Sequence, residues 1–529
     1  MSLLDKATII TTPTAHSNGV LHSIKGGSVA DFDVVRGSSA TRVNAEGLIE
    51  DVRILSGELV TNGDFSNGST GWTLFSGWSI GNGVAISDGS ATGIQQSTLL
   101  TIDSTYQITA TVTGNPSLLV FNSSSFYEPL SSRTLSNGTN TYILKAKSVN
   151  FGITNVGADI CDITNISVVE VTDATNIPRI DYTGGGCPSL LLEPQSTNLI
   201  TYSEDFSDAS WTNARSSSSA NETISPSGVL DAYKLFDSAE SNTHLLFNTQ
   251  ATTIGSVYSF SFFIKKGTLT KAFLAFNASV NQSVVFDLEN GLVYEEGLDI
   301  DSSKIEDYGN DWFRCSFTHT ASNTSTLYRL GTYDGSITYT GTGTDYVYLW
   351  GAQFESLPYS TSYIPTSGAI ATRLADKVTG AGDATTFNST EGVLYFEGSA
   401  LVNDLTNRII SITDGASVNG ASLYYSSLSN VIRANYYVGG VEQCNLLYTL
   451  ADETDFSKMA FVWKINRFEL WVDGVKRAED LSGAVNTANT MSDLSLSRLG
   501  GNVYYGEIKS VITFNTALTD AELECLTTI

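Results

Sequence analysis

Apolar and polar residues alternate along most of the chain. TYQITATV at 105–112, VYSFSFFIKK at 257–266, FRCSFTHT at 313–320 and FELWVDGV at 468–475 each place apolar side chains on one face at a period of two. That is the spacing of a half-buried strand. Gly, Asn, Asp and Ser break the alternation at the intervals of a β-sandwich. Long windows with a helical period are missing. One short helix is predicted near the end, where Thr519-Asp520-Ala521-Glu522 forms a capping box and Leu523 and Leu526 a small apolar face. The predicted fold class is all-β, built of tandem β-sandwich (jelly-roll) domains.

A repeat marks the boundaries. LVTNGDFSNGSTGWT starts at Leu59 and LITYSEDFSDASWT at Leu199; both run through Asp-Phe-Ser to Trp-Thr. Each is followed by a long β pattern, closing on ITNISVVEV at 163–171 and YVYLWGAQFESL at 346–357. Two related jelly rolls are therefore expected, at 58–172 and 196–372, with a third domain at 373–529. In the third, Asp473-Gly474 reads as a hairpin turn between apolar strands. Residues 1–57 and 173–195 are each too short for a sandwich. They are read as one N-terminal unit, split by insertion of the first jelly roll into an exposed loop.

Composition narrows the function classes. The chain has 529 residues, 41% of them hydrophobic and only 16% charged, with a net charge of −27. No Lys/Arg cluster offers itself to a phosphate backbone, so nucleic acid is excluded as a partner. No basic-then-apolar leader and no run of eighteen apolar residues occurs, so neither a signal peptide nor membrane insertion is expected. The five cysteines, Cys161, Cys187, Cys315, Cys444 and Cys525, are odd in number and widely spaced. They are read as reduced thiols, mostly buried.

Some passages are recognisable. SSATRVNAEGLIEDV at 38–52, followed by IPRIDYTGGGCPSLLLEPQSTNLITYSEDFSDASW at 177–211, resembles passages of tailed-bacteriophage head-spike, tail-fibre and tailspike proteins. In those proteins the two passages usually lie closer together, which supports the insertion. YVYLWGAQFESLPYSTSYIPTSGAIATRLAD at 346–376 is similar to the end of the sandwich that follows them. Segment 58–172 looks like a jelly-roll carbohydrate-binding module, and 373–529 like a concanavalin A-like (laminin-G-like) domain. The resemblance implies a virion fibre or spike, a head fibre slightly preferred over a tail fibre, that adheres to host-surface or environmental glycans. It implies a homotrimer whose N-terminal unit is virion-anchoring and docks on other virion proteins of the capsid or tail. It also implies a virion-surface location, after folding in the host bacterial cytoplasm and release by lysis. A capsule depolymerase (a glycan-cleaving tailspike) and an inert capsid decoration protein are the alternative readings.

Sugar binding needs rings to stack on a pyranose, with amides and carboxylates beside them. Trp72, Phe75 and Trp78 in GWTLFSGW form the tightest aromatic cluster; Trp78 offers a stacking ring if it is exposed, and a buried core position is its alternative. Trp72 is the one expected to fill the core. The tyrosine pairs of the third domain should each expose one ring; Tyr425, Tyr437 and Tyr505 are the candidates for glycan contact, with ordinary edge residues or a subunit interface as the alternative. Structural calcium is a candidate cofactor at Asp64, Asp205 and Asp208, which lie in turns where jelly rolls often hold an ion; a solvated turn Asp is the alternative at each. No enzyme is expected. None of the four histidines, His16, His22, His244 and His319, sits in HExxH or beside a GxSxG elbow, and Gly184-Gly185-Gly186 lacks the GK[ST] of a phosphate loop.

Overall fold

The computed structural model describes residues 2–528 apart from 18, 19, 129, 131, 132, 278, 417 and 499–501. Two compact units emerge. One is residues 53–174; the other joins 2–52 to 175–528.

Unit 53–174 is a two-sheet sandwich. One sheet runs Gly138–Lys145, Thr105–Thr113, Ile160–Asp173, Val84–Asp88, Trp78–Gly81. The other runs Thr134–Leu135, Leu119–Phe121, Phe151–Asn155, Gly93–Gln96, Thr73–Leu74. The alternation of TYQITATVT sets which way Thr105–Thr113 faces: Tyr106, Ile108, Ala110 and Val112 enter the core between the sheets.

Within the larger unit, residues 196–372 repeat that construction. Trp312–Thr320, Val257–Lys266, Tyr346–Glu355, Leu230–Asp237 and Ser216–Ile224 lie in the same order as the first sheet above, with Ser302–Asp307 added at one edge. Ser283–Asp287, Lys271–Phe276, Ser325–Tyr333, Leu245–Ala251 and Thr212–Ala214 follow the second, extended by Leu292–Glu296. The sequence repeat plays the same part in both. Trp72 Nε1 donates to the Asn62 carbonyl at 3.0 Å and Trp211 Nε1 to the Tyr202 carbonyl at 2.8 Å. Phe65 and Phe206 pack on these indoles at ring separations of 5.4 and 5.2 Å. A second shared device lies further on. Thr101 N–H donates to the Tyr106 hydroxyl at 2.7 Å, and Thr253 N–H to the Tyr258 hydroxyl at 3.0 Å.

The remaining residues form a third sandwich. Among the described residues a five-stranded sheet, Val441–Thr449, Val431–Val438, Gly420–Tyr425, Arg408–Thr413, Asp493–Ser495, packs against an eleven-stranded one. The larger sheet's path includes Lys377–Thr379, Phe32–Val35, Val20–Lys25, Ala7–Ser17, Gly506–Phe514, Glu391–Ala400, Ser457–Lys464, Arg467–Val472 and Val475–Asp480. Asp473 and Gly474 make the last turn, both at positive φ, as a two-residue hairpin requires. The helix Asp520–Thr527 carries the capping box read from sequence and buries Leu523 on the outer face of this sheet.

Here the structure departs from the expected N-terminal unit. The described residues of 2–52 and 175–195 belong to the larger unit and do not stand apart within it. Ala7–Ser17 and Ser189–Leu192 both hydrogen-bond to Gly506–Phe514, while Val43 and Ile49 cover Phe263, Trp312 and Trp350 on the outer face of the second jelly roll. The reason is the one that ruled out an independent sandwich: segments this short cannot satisfy their own strand edges, so they complete the sheets of their neighbours.

Two of the recognisable passages, 177–211 and 346–376, meet Arg36 in a buried ionic cluster. Asp376 accepts from Arg36 Nη1 at 2.8 Å and from Arg179 Nη2; Glu193 accepts from Arg179 and lies 2.8 Å from Arg373 Nη1. All five side chains are at most 4% exposed. Burial alone would raise the Glu193 carboxyl, but Arg373 and Arg179, helped by Ser362, hold it down at about 2. Nearby carboxyls move the other way. Burial, then the Asp231 charge, raises Glu204 to about 7, and burial raises Asp231 to about 6. A depressed folded-state pKa stabilises above the ordinary carboxylate value and is lost as pH falls toward 2; raised ones stabilise below that value and are lost as pH climbs through 6 to 7. The larger unit is therefore expected to melt highest near pH 5 and lower at both pH 3 and pH 8. Calorimetric scans across that range check this.

All five thiols are unpaired. Cys161, Cys315 and Cys444 are buried, and burial pushes Cys161 up to about 11 and Cys444 to about 12. Cys187 and Cys525 are exposed. Titration with a chromogenic disulfide should find two fast thiols in the native protein and five after unfolding; fewer than five would reveal a disulfide.

Candidate functional site

The aromatic residues singled out from sequence do not assemble into one site. Trp72 and Trp78 are both 7% exposed and belong to the core of unit 53–174. This removes Trp78 as a candidate stacking ring and gives it the core position that was its alternative. Trp78 and Ile80 alternate on the inward face of their strand, a pattern present in WSI. Phe75 alone of the three is exposed, at 47%. Tyr425 is also corrected to the interior: it is 1% exposed and donates to the Gly398 carbonyl at 2.9 Å. Ala421, Leu423 and Tyr425 point into the core together, so Tyr424 is the outward member of that pair. Tyr437 and Tyr505 are half-buried, and the Tyr437 hydroxyl donates to Glu442 at 3.0 Å.

The three aspartates fold back on their own turns. Asp64 accepts from Ser66 N–H at 3.2 Å and its hydroxyl at 2.9 Å; Asp205 accepts from both groups of Ser207 and from the Tyr233 hydroxyl; Asp208 accepts from Ser210 N–H at 2.8 Å. Among the described residues no three His, Cys, Asp or Glu side chains converge as metal ligands.

Sequence reasoning missed a polar concavity of the larger unit. A cleft of about 740 Å³ opens in the larger unit. Its walls come from the Thr41–Val43 hairpin, the edge strand Ser302–Asp307, the segment 358–363 and the loops at 399–402 and 452–455. No local motif signals it, because its walls come from five separate stretches of chain and its floor from others, around Asp181, Arg314 and Glu507. The floor is fixed by hydrogen bonds. Asp181 accepts from Val43 N–H at 2.8 Å and Thr183 N–H at 2.9 Å. Arg314 donates to the Thr361 carbonyl at 2.6 Å and lies over the Phe263 ring at 5.4 Å. Tyr308 stands edge-on to the same ring at 4.9 Å, and burial pushes its phenol up. Burial also raises the Glu507 carboxyl, which accepts from the Ser189 hydroxyl at 2.7 Å. The rim is wet: Asp452, Asp455 and Lys304 are exposed, and Tyr359 is half-buried. Hydroxyls, carboxylates and phenol rings around one concave surface can exchange hydrogen bonds with a polyhydroxylated ligand and pack on its apolar faces.

These features define an all-β protein of tandem jelly-roll sandwiches with a polar cleft in its larger unit. No protein-family model matches the chain, and no curated protein matches it. Solved structures do. The CBM40 of the Ruminococcus gnavus IT-sialidase, bound to α2,3-sialyllactose, is 17% identical and aligns over 28% of this chain and 93% of its own, with a TM-score of 0.24. Domain 4 of AbnA, a GH43 extracellular arabinanase from Geobacillus stearothermophilus, in complex with arabinotriose, is 10% identical over 32% and 82%, with a TM-score of 0.25. Trypanosoma rangeli sialidase in complex with the inhibitor DANA is 10% identical over 93% and 98%, with a TM-score of 0.23. TM-scores of this size do not establish a shared fold along the aligned length.

Proposed function

We propose that the protein is a glycan-binding virion fibre or spike subunit and that the cleft holds the sugar. The observation that carries this reading is the cleft's chemistry: a large concavity with tyrosines, hydroxyls and carboxylates on its walls and charged groups left at its rim. Such a site binds weakly alone. A homotrimer would raise avidity by roughly 10²–10⁴ with no new contact, which fits the fibre resemblance of the passages at 38–52, 177–211 and 346–376.

Retention of host polysaccharide on immobilised protein tests the reading. The parent should retain the polymer without shortening it. Tyr359→Ala should weaken retention about fivefold to tenfold, the loss of one ring contact worth about 1 kcal/mol, with little change in melting. Shortened polymer would mark a depolymerase instead. Neither retention nor shortening would mark a decoration protein and overturn the proposal.

A further inference from the structure

Three side chains outside the cleft form a second constellation. Ala7–Ser17 and Val20–Lys25 make a hairpin in which Ser17 pairs with Val20, and Val20 pairs in turn with Asp33 on the next strand. Residues two apart on a strand share a face. Ser17 and His22 therefore meet diagonally across the hairpin, and His22 comes beside Asp31 just before the third strand. The contacts follow. Ser17 Oγ lies 2.6 Å from His22 Nε2, and His22 Nδ1 lies 2.8 Å from Asp31 Oδ2. The other Asp31 oxygen accepts from Ser23 N–H at 2.8 Å, which fixes the carboxylate. The turn that delivers Asp31 is tight. Gly26 and Gly27 both have positive φ, and a Cβ on Gly26 would come within 2.7 Å of the Ala30 Cβ. Ser17 is exposed, and the His22 side chain is 43% exposed against 16% for Asp31. The hydroxyl is open to solvent while the carboxylate behind it is sheltered.

The geometry points to a serine-hydrolase centre, with Ser17 as nucleophile, His22 as general base and Asp31 as the residue that orients the imidazole, acting on acyl esters. A hydroxyl bonded to an imidazole whose far nitrogen is held by a carboxylate is the arrangement that activates serine, and it is recognised by geometry and roles on unrelated folds. In the first step the Ser17 oxygen bonds to the acyl carbon, the ester C–O bond breaks, and the Ser17 proton passes through His22 Nε2 to the leaving alcohol. In the second, water attacks the acyl-serine, gives a proton to His22 and releases the carboxylic acid, and His22 returns the proton to Ser17. Water is the only co-reactant. An open strand surface suits an acyl group displayed on a larger molecule rather than one enclosed in a pocket. The motif reading did not reach these residues because they lie on two strands and the turn before a third, with no elbow sequence around the serine.

The test uses the full-length protein, p-nitrophenyl acetate and a fluorophosphonate. The fluorophosphonate should add its phosphonyl group to the Ser17 hydroxyl with loss of fluoride, seen by mass spectrometry on the peptide 7–25. Ester hydrolysis should fall at least tenfold in Ser17→Ala and His22→Ala. It should fall comparably in Asp31→Asn, whose pH profile should also shift because the imidazole tautomer is no longer set. Ser17→Ala should melt as the parent does, since its side chain is exposed. Hydrolysis unchanged in Ser17→Ala, or phosphonylation absent from Ser17 while His22→Ala remains folded, would overturn the assignment and leave the three residues as a surface hydrogen-bond chain. Neither readout involves the cleft or any glycan, so this result and the binding result stand separately.

Discussion

Asp376→Ala is expected to lower the stability of the larger unit by about 3–5 kcal/mol, the usual cost of removing one partner from a buried ion pair. Asp376 answers Arg36 and Arg179 together and also accepts from Glu193 N–H at 2.9 Å. Its loss leaves three guanidiniums, Arg36, Arg179 and Arg373, facing the single carboxylate of Glu193 in a place water does not reach. The N-terminal segment, the 177–198 segment and the 371–376 segment are all held through this cluster, so the damage should spread across the unit. Calorimetry should show the transition of the larger unit displaced downward by several degrees while that of unit 53–174 stays in place. An unshifted transition would mean that the cluster contributes little beyond its own desolvation.

Trp72→Ala and Trp211→Ala form a matched pair, each expected to cost about 3–5 kcal/mol through the cavity it opens. Each indole closes the first turn of its jelly roll by donating to a carbonyl and packs against the Phe of its own Asp-Phe-Ser turn. Trp72→Ala should destabilise unit 53–174 alone, and Trp211→Ala the larger unit alone. Against a typical domain stability of about 5–15 kcal/mol, the smaller unit should become cleavable by protease near 25 °C. Loss of glycan retention in Trp72→Ala without any change in melting would instead return the first jelly roll to consideration as a binding module.

The strands were legible because burial on one face writes a period of two into the chain. Tyr106, Ile108, Ala110 and Val112 show it plainly. The Asp-Phe-Ser…Trp repeat was legible because a closing turn needs the same few residues in both sandwiches. The Tyr106 and Tyr258 counterparts were not, since an intervening Thr-x-x-x-x-Tyr spacing resembles ordinary strand sequence. Tyr425 was misplaced although Ala421 and Leu423 state the parity of its strand; adjacency of two tyrosines does not say which one turns inward. The cleft and the Ser17–His22–Asp31 chain share a different difficulty. Both depend on strand register between distant segments, and register is a property of pairing that no single segment carries.

The pairing of Ala7–Ser17 with Gly506–Phe514, where Thr11 meets Val511, has a consequence for biosynthesis. At ribosomal speeds of about 5–20 residues per second, the earlier strand waits on the order of tens of seconds for its partner to be translated. During that interval its edge is an unsatisfied template, open to pairing with other nascent chains on the same message. Chains released before residue 506 can never close it. Closure of this sheet therefore waits on residues 506–514, and its yield should depend on holdase chaperones during elongation more than on the stability of the closed sheet.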